Sequence, residues 1–266
     1  MSDKQIPPAA TYRDRSSGTV GSIKKAMLIL RCFSAAEPLL SITELSRRVG
    51  LHKSSVSRIV STLEEAQFVE RDPATGLIRV GGGIVALAAP IMERFGLSDI
   101  VQAKLRELAI ATEETTSFNI WDGTAAVSIQ QVRGPNAVSH YGQLGLRKPA
   151  HCTATGKLLL AFSSEDVQKR VLLLPMTKLT ENTIVDRAIL QEQLELARSS
   201  NFAVNRGEFY FDVGAVASAV RGADGSVIGA LEVTVPMYRF VENRIPFLQE
   251  KIINMAACLS NKLSGS

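Results

Sequence analysis

Apolar residues recur at helical spacing along the first third of the chain. From Ser22, the positions Ile23, Ala26, Met27, Ile29, Leu30 and Phe33 make one broad face, and Pro38 closes the segment. Residues 43–49 predict a short helix. Ser41 or Thr43 is placed to cap it, Glu44 lies in its first turn, and Gly50 stands where a left-handed residue ends a helix. A second helix is expected over 53–67, with Val56, Ile59, Val60 and Leu63 as its inward stripe. Residues 69–80 read strand, turn, strand around Asp72-Pro73-Ala74-Thr75-Gly76. Residues 84–94 are apolar and helical in character, with Gly96 and Ser98 as a joint. Residues 97–112 predict an amphipathic helix with Ile100, Leu105, Leu108 and Ala109 inward.

Beyond residue 112 the pattern alternates between strand and helix periods. Strands are expected over 117–120, 125–132, 137–141, 209–221 and 226–234, and helices over 153–162, 165–174, 186–199 and 245–263. Ala223-Asp224-Gly225 joins the last two strands as a hairpin. These elements predict an α+β domain with a mainly antiparallel sheet. Residues 1–20 are polar and Ser/Pro-rich without periodicity, and read as a mobile tail.

The polar side of the 53–67 segment changes the picture from fold to chemistry. It begins Lys53, Ser54, Ser55, Ser57, Arg58, with no acid before Glu64. Small hydroxyls let a helix approach base edges and phosphates, and cations meet the backbone, so the 43–67 pair reads as a helix-turn-helix with its second helix as the reading helix. The strand pair after it makes this a winged helix. Thr43 and Arg47 on the first helix are further DNA-contact candidates. Arg71 and Arg79 flank the wing tip, either as phosphate contacts or as plain solubilising charges. Charge placement agrees. Residues 1–90 hold 12 Lys+Arg against 8 Asp+Glu, while residues 91–266 hold 18 of each, so the whole excess of +4 sits on the segment with the helix-turn-helix. A basic patch attracts a polyanion, and a neutral remainder suggests a different partner.

Composition excludes several classes. No apolar run approaches the ~18 residues of a membrane span, and the N-terminus lacks the apolar core of a secretory signal. Cys32, Cys152 and Cys258 are odd in number and far apart, which suggests free thiols in a cytoplasmic protein. No CxxC pair argues for a metal, and the Gly81-Gly82-Gly83 run lacks the spacing of a phosphate loop. Neither a metal nor a cofactor is expected. His151-Cys152 invites a nucleophile reading, but adjacent side chains on a strand point apart. No catalytic residue is assigned.

Two motifs carry a family resemblance. The first is ITELSRRVGLHKSSVSRIVSTLEEAQFVERD. The second is LGLRKPAHCTATGKLLLA, in which Gly145, Arg147, Pro149, His151, Thr153, Ala154, Gly156 and Lys157 follow a Gly-x-Arg-x-Pro-x-His-x-Thr-Ala-x-Gly-Lys pattern. On these, and on the 224–231 hairpin, the chain resembles the IclR family of bacterial transcriptional regulators over about residues 21–266. The resemblance implies a two-domain α+β protein: a tail (1–20), a winged helix-turn-helix DNA-binding domain (21–83), a linker helix (84–98) and a GAF-like effector-binding and oligomerisation domain (99–266). It also implies binding to double-stranded DNA, assembly as a homodimer or as a tetramer built from two dimers, and a small organic acid as effector. That acid would sit against the loop before the Gly-Lys helix and the last strands. The chain departs from the family pattern at 212–217, where the glycine is out of register and no cysteine stands. It departs again at Glu232, where small polar residues are common.

In the second segment, Thr153-Ala154-Thr155-Gly156-Lys157 opens a helix, whose free N–H groups and dipole make an anion site, with Thr153 also placed simply to cap it. Asn119 and Trp121 share a strand face, and Trp121 either walls a ligand or fills core. Asn205 and Glu208 lie on the approach to the next strand, with Glu208 either a ligand acceptor or a solvated acid. Glu232 and Thr234 share a face of the last strand. Tyr141, like His140, is a candidate donor or an interface residue. Three functions compete: a ligand-responsive DNA-binding regulator, a DNA-binding regulator with a ligand-free assembly domain, and an enzyme using Cys152 and His151.

Overall fold

The computed structural model describes residues 20–34, 37–94, 99–136 and 144–264. The chain divides into two compact units, with the boundary between Met92 and Glu93. Residues 1–19 of the expected tail, residues 95–98 of the expected linker, the 137–141 strand, His140 and Tyr141 lie outside the described residues.

The first unit comprises α1 (Gly21–Leu30), α2 (Ile42–Val49), α3 (Lys53–Glu65), β1 (Val69–Arg71) and β2 (Ile78–Val80). Local chemistry sets each boundary. Ser41 Oγ accepts from Glu44 N at 3.1 Å, so Ser41 rather than Thr43 caps α2. Gly50 closes α2 in the left-handed region, at φ 66°. Ser46 Oγ donates to Leu51 O at 2.5 Å and pins the turn. His52 caps α3, which ends two residues earlier than its periodicity suggests because Gln67 turns to φ 59°. Ile29, Leu45, Val56, Val60, Leu63 and Ile78 form the core, and Ile59 packs half-buried against it. β1 and β2 pair antiparallel, Val69 opposite Val80. Leu40 exchanges backbone hydrogen bonds with Ile78 (2.9 and 2.8 Å), tying the chain before α2 to the wing.

α4 (Gly83–Arg94) carries Pro90 within it. The second unit continues with α5 (Asp99–Thr112), β3 (Thr115–Trp121), β4 (Ala125–Val132), β5 (Arg147–Pro149), α6 (Ala154–Ala161), α7 (Glu165–Leu172), α8 (Arg187–Ser200), β6 (Ala203–Arg206), β7 (Val213–Arg221), β8 (Val227–Pro236) and α9 (Ile245–Ser264). The strands form one antiparallel sheet in the order β5-β4-β3-β8-β7-β6. Alternation splits it into two faces. Phe118, Val216, Val220, Leu231, Val233 and Val235 pack under α5 and α9. The opposite face carries many small residues, among them Ala126, Ala215, Ala217, Ala219 and Ala230, and packs under α6 and α8. α6 contacts residues of all six strands. β7 starts at Val213 and not at 209, because Val213 N bonds Tyr210 O at 3.1 Å and closes a turn there. No helix among the described residues is long and apolar enough to cross a membrane.

Candidate functional site

On α3, the inward stripe turns Lys53, Ser54, Ser57 and Arg58 to solvent, while Ser55 is half-buried. Among the described residues, no ion pair engages Lys53 or Arg58. The other basic candidates are exposed but engaged. Arg47 donates to both oxygens of Glu44 (2.9 and 2.6 Å). Those bonds, with one from Arg48, hold the Glu44 carboxyl down to about 2. Arg71 reaches Glu64 at 3.3 Å and Arg79 reaches Glu70 at 2.5 Å. Exposed pairs of this kind are worth about 0–1 kcal/mol, so they exchange readily for phosphate. Thr43 is exposed beside them. Lys53 and Arg58 on α3 are thus exposed cations with no ion pair among the described residues. His52 was not among the sequence candidates; it is exposed at the start of α3, its Nδ1 2.8 Å from Ser54 Oγ.

In the second unit the sheet register gathers distant residues. Lys148 on β5 lies opposite Ala126 on β4, and Ala126 lies opposite Trp121 on β3. Asn119 lies opposite Ser128 and Ala230, and Ser117 lies opposite Glu232. All therefore share the face that α6 covers. Lys148 and Glu232, both buried, form an ion pair. Lys148 Nζ also donates to Asn119 Oδ1 (3.0 Å), Asn119 Nδ2 to Ser117 Oγ (3.0 Å), and Ser117 Oγ to Glu232 Oε2 (3.0 Å). Thr155 Oγ1 approaches Glu232 Oε1 at 3.5 Å. Thr234 is half-buried on the same face, opposite Thr115 and Ala215.

Lys148 and Ser117 were invisible as site residues in the sequence. The alternation of β5 was too short to read, and nothing local pairs a lysine with an acid 84 positions away.

The start of α6 adds backbone donors. Thr153 Oγ1 accepts from Gly156 N (3.1 Å) and donates to Pro149 O (2.7 Å), so it does cap the helix. The N–H groups of Ala154 and Thr155 have no acceptor among the described residues. Gly156 is obligatory here for steric reasons: a Cβ would stand 2.5 Å from Pro149 O and from Thr153 Oγ1. Gly156→Ala is expected to displace the α6 N-terminus, lowering the melting temperature of the second unit by several degrees. Differential scanning calorimetry checks this, and an unchanged transition would contradict it.

Glu208 corrects the sequence reading of a solvated acid. It is buried, and both its oxygens accept from Lys157 Nζ (2.8 and 2.9 Å), which also donates to Gln193 (2.6 Å). Burial pushes the Lys157 ammonium down, against the opposing pull of Glu208. Asn205 Oδ1 accepts from Glu208 N at 2.8 Å. Neither Asn205 nor Glu208 joins the Lys148–Glu232 cluster through a described hydrogen bond. Cys152 is buried, which pushes its thiol up to about 12, the reverse of what a nucleophile needs. His151 is turned to Thr177 O at 3.1 Å.

A winged helix with a free basic reading helix, joined in one chain to an antiparallel α+β unit, defines a DNA-binding transcriptional regulator. Comparison with known proteins gives the family. The description "IclR helix-turn-helix domain" matches residues 22–73, and "Bacterial transcriptional regulator IclR C-terminal" matches residues 83–261. The HTH-type transcriptional regulator Rv1719 of Mycobacterium tuberculosis is 34% identical over 87% of this chain and 88% of its own. XynR of Escherichia coli is 28% identical over 92% of this chain and 97% of its own. Among solved structures, an IclR transcriptional regulator from a Silicibacter species has TM-score 0.79 and 27% identity, covering 92% of this chain and 97% of that one. An IclR homolog from Microbacterium hydrocarbonoxydans, complexed with 4-hydroxybenzoate, shares the fold at TM-score 0.76 and 21% identity, covering 92% and 100%. The chain belongs to the IclR family of bacterial transcriptional regulators. The matched families and relatives are regulators, not enzymes.

Proposed function

We propose that operator binding by this regulator is modulated by a small organic acid held in the second unit. The observation that carries this reading is the α6 N-terminus, whose N–H groups without an acceptor among the described residues lie beside the buried Lys148–Glu232 ion pair and its hydrogen-bonding cluster. Helix N-termini favour anions, and the chain adds Lys148 at the same place. Thr153 to Gly156, Asn119, Trp121, Glu232 and Thr234 belong to this site in our reading; Glu208, held by Asn205, anchors α6 through Lys157. The family neighbour complexed with 4-hydroxybenzoate supports the ligand class.

On the DNA side, Lys53, Ser54, Ser55, Ser57 and Arg58 read the major groove, with Thr43, Arg47, Arg71 and Arg79 on the backbone. Residues 84–98 link the two functions, and the protein works in the cytoplasm as a homodimer or a dimer of dimers, which presents paired reading helices to two half-sites. An acid alters operator affinity only to the extent that it binds one arrangement more tightly than the other.

The test is a fluorescence-anisotropy titration of the purified chain with the duplex upstream of its own gene and with a scrambled duplex, at moderate salt, with and without a panel of small carboxylic acids. A preference for the native duplex, changed by at least one acid, is expected. If no acid in the panel moves the curve, the effector reading fails while the DNA-binding assignment stands.

A further inference from the structure

The Lys148–Glu232 cluster carries more information than the presence of an anion site. Glu232 is itself an anion, 3% exposed, at the place where a carboxylate would arrive. An acid bound to Lys148 would face the Glu232 carboxylate in a buried setting, where uncompensated like charges are costly. The residual hydrogen-bonding capacity shows how that conflict is resolved.

An ammonium has three donors, and Lys148 uses two, on Glu232 and Asn119. Ser128 Oγ is buried without a partner among the described residues, and so is Trp121 Nε1. Ser128 is 1% exposed and, by register, points onto the same face as Asn119, Trp121 and Lys148. A buried hydroxyl left unpaired costs about 1–3 kcal/mol, so this position suits a water or a ligand oxygen as partner. Against these donors stands one under-used acceptor, Glu232 Oε1, whose sole described contact is Thr155 Oγ1 at 3.5 Å. The cluster thus offers several donors in one direction and a single anionic acceptor beside them.

We propose that this cluster selects a bifunctional acid: a small carboxylic acid with an ammonium or hydroxyl group on the adjacent carbon. Its carboxylate takes the spare donors of Lys148, Ser128 and the α6 N-terminus, and its ammonium or hydroxyl donates to Glu232 Oε1. The inference rests on the effector reading above and narrows it. An ammonium leaves the site electrically balanced, a hydroxyl gives Glu232 a donor without charge, and a bare methylene gives it nothing. Affinity therefore falls in the order 2-amino acid, 2-hydroxy acid, unsubstituted acid.

The experiment is isothermal titration of the full-length wild-type chain with two matched series: alanine, lactate and propanoate, and phenylalanine, 3-phenyllactate and 3-phenylpropanoate. A site built to bond a donor rejects the analogue lacking it strongly, so we expect the unsubstituted member of at least one series to bind at least about tenfold more weakly than its amino or hydroxy partner. Glu232→Gln, which keeps shape but removes the charge, is expected to bring the amino and hydroxy members of that series level. The wild-type comparison stands alone if that variant does not fold. Equal binding within both series, or discrimination unchanged by Glu232→Gln, overturns this inference and leaves the effector reading intact. Binding of none of the six at millimolar levels overturns this inference, and the effector reading is then decided by the anisotropy titration.

Discussion

Replacing Lys157 with Met is expected to destabilise the second unit by about 3–5 kcal/mol, the range found when one partner of a buried ion pair is removed. The Lys157 side chain is 1% exposed and that of Glu208 7%, so the surviving carboxylate is largely shut off from bulk water. Glu208 would keep only a hydrogen bond from Arg206 N, at 3.2 Å. The damage would spread, because Thr180 and Thr183 donate to the Glu208 carbonyl (3.3 and 2.7 Å) and Asn205 fixes its N–H. Urea unfolding of the full-length chain, followed by far-ultraviolet circular dichroism, measures the loss. The double variant Lys157→Met, Glu208→Leu removes both charges and is expected to recover most of it, since apolar replacement of a buried pair is often neutral. A loss below about 1 kcal/mol in the single variant would show that the pair is not isolated from solvent as its burial indicates.

Arg58→Ala is expected to weaken operator binding by about 1–3 kcal/mol per reading helix, without changing stability by more than about 0.5 kcal/mol. The side chain is exposed and no described ion pair holds it, so the folded chain loses nothing when it is removed. The salt dependence separates its two roles. A phosphate contact lowers the slope of log K against log salt by about 1, whereas a base contact leaves the slope and relaxes sequence preference. Arg79→Ala serves as the comparison and is expected to lose less, because Arg79 must first give up Glu70. Unchanged affinity and unchanged slope for Arg58→Ala would remove it from the interface.

What the sequence determined by itself was local. The Ser41 cap, the Gly50 stop, the α3 stripe and the Asp72–Gly76 wing turn each depend on residues within about one helical turn of each other. Their chemistry was therefore legible in order along the chain, and so was the basic face of α3, which is the remainder once the stripe is assigned. The same locality revealed Thr153 to Lys157 as a helix start with spare N–H groups, the opening of α6.

Only the tertiary structure decided what that helix start faces. Short edge strands β5 and β6, three and four residues long, were too brief to show a period. Yet β5 brings Lys148 to Glu232, and the turn after β6 brings Glu208 to Lys157, across separations of 84 and 51 residues. The consequence is that Glu208 is half of a buried ion pair and not a solvated acid. The fold also supplied another residue, Lys148, that nothing nearby in the chain distinguishes. The physical reason is that a side chain's charge partner in a sheet is set by strand order and register, and these are properties of the whole domain's hydrogen bonding and core.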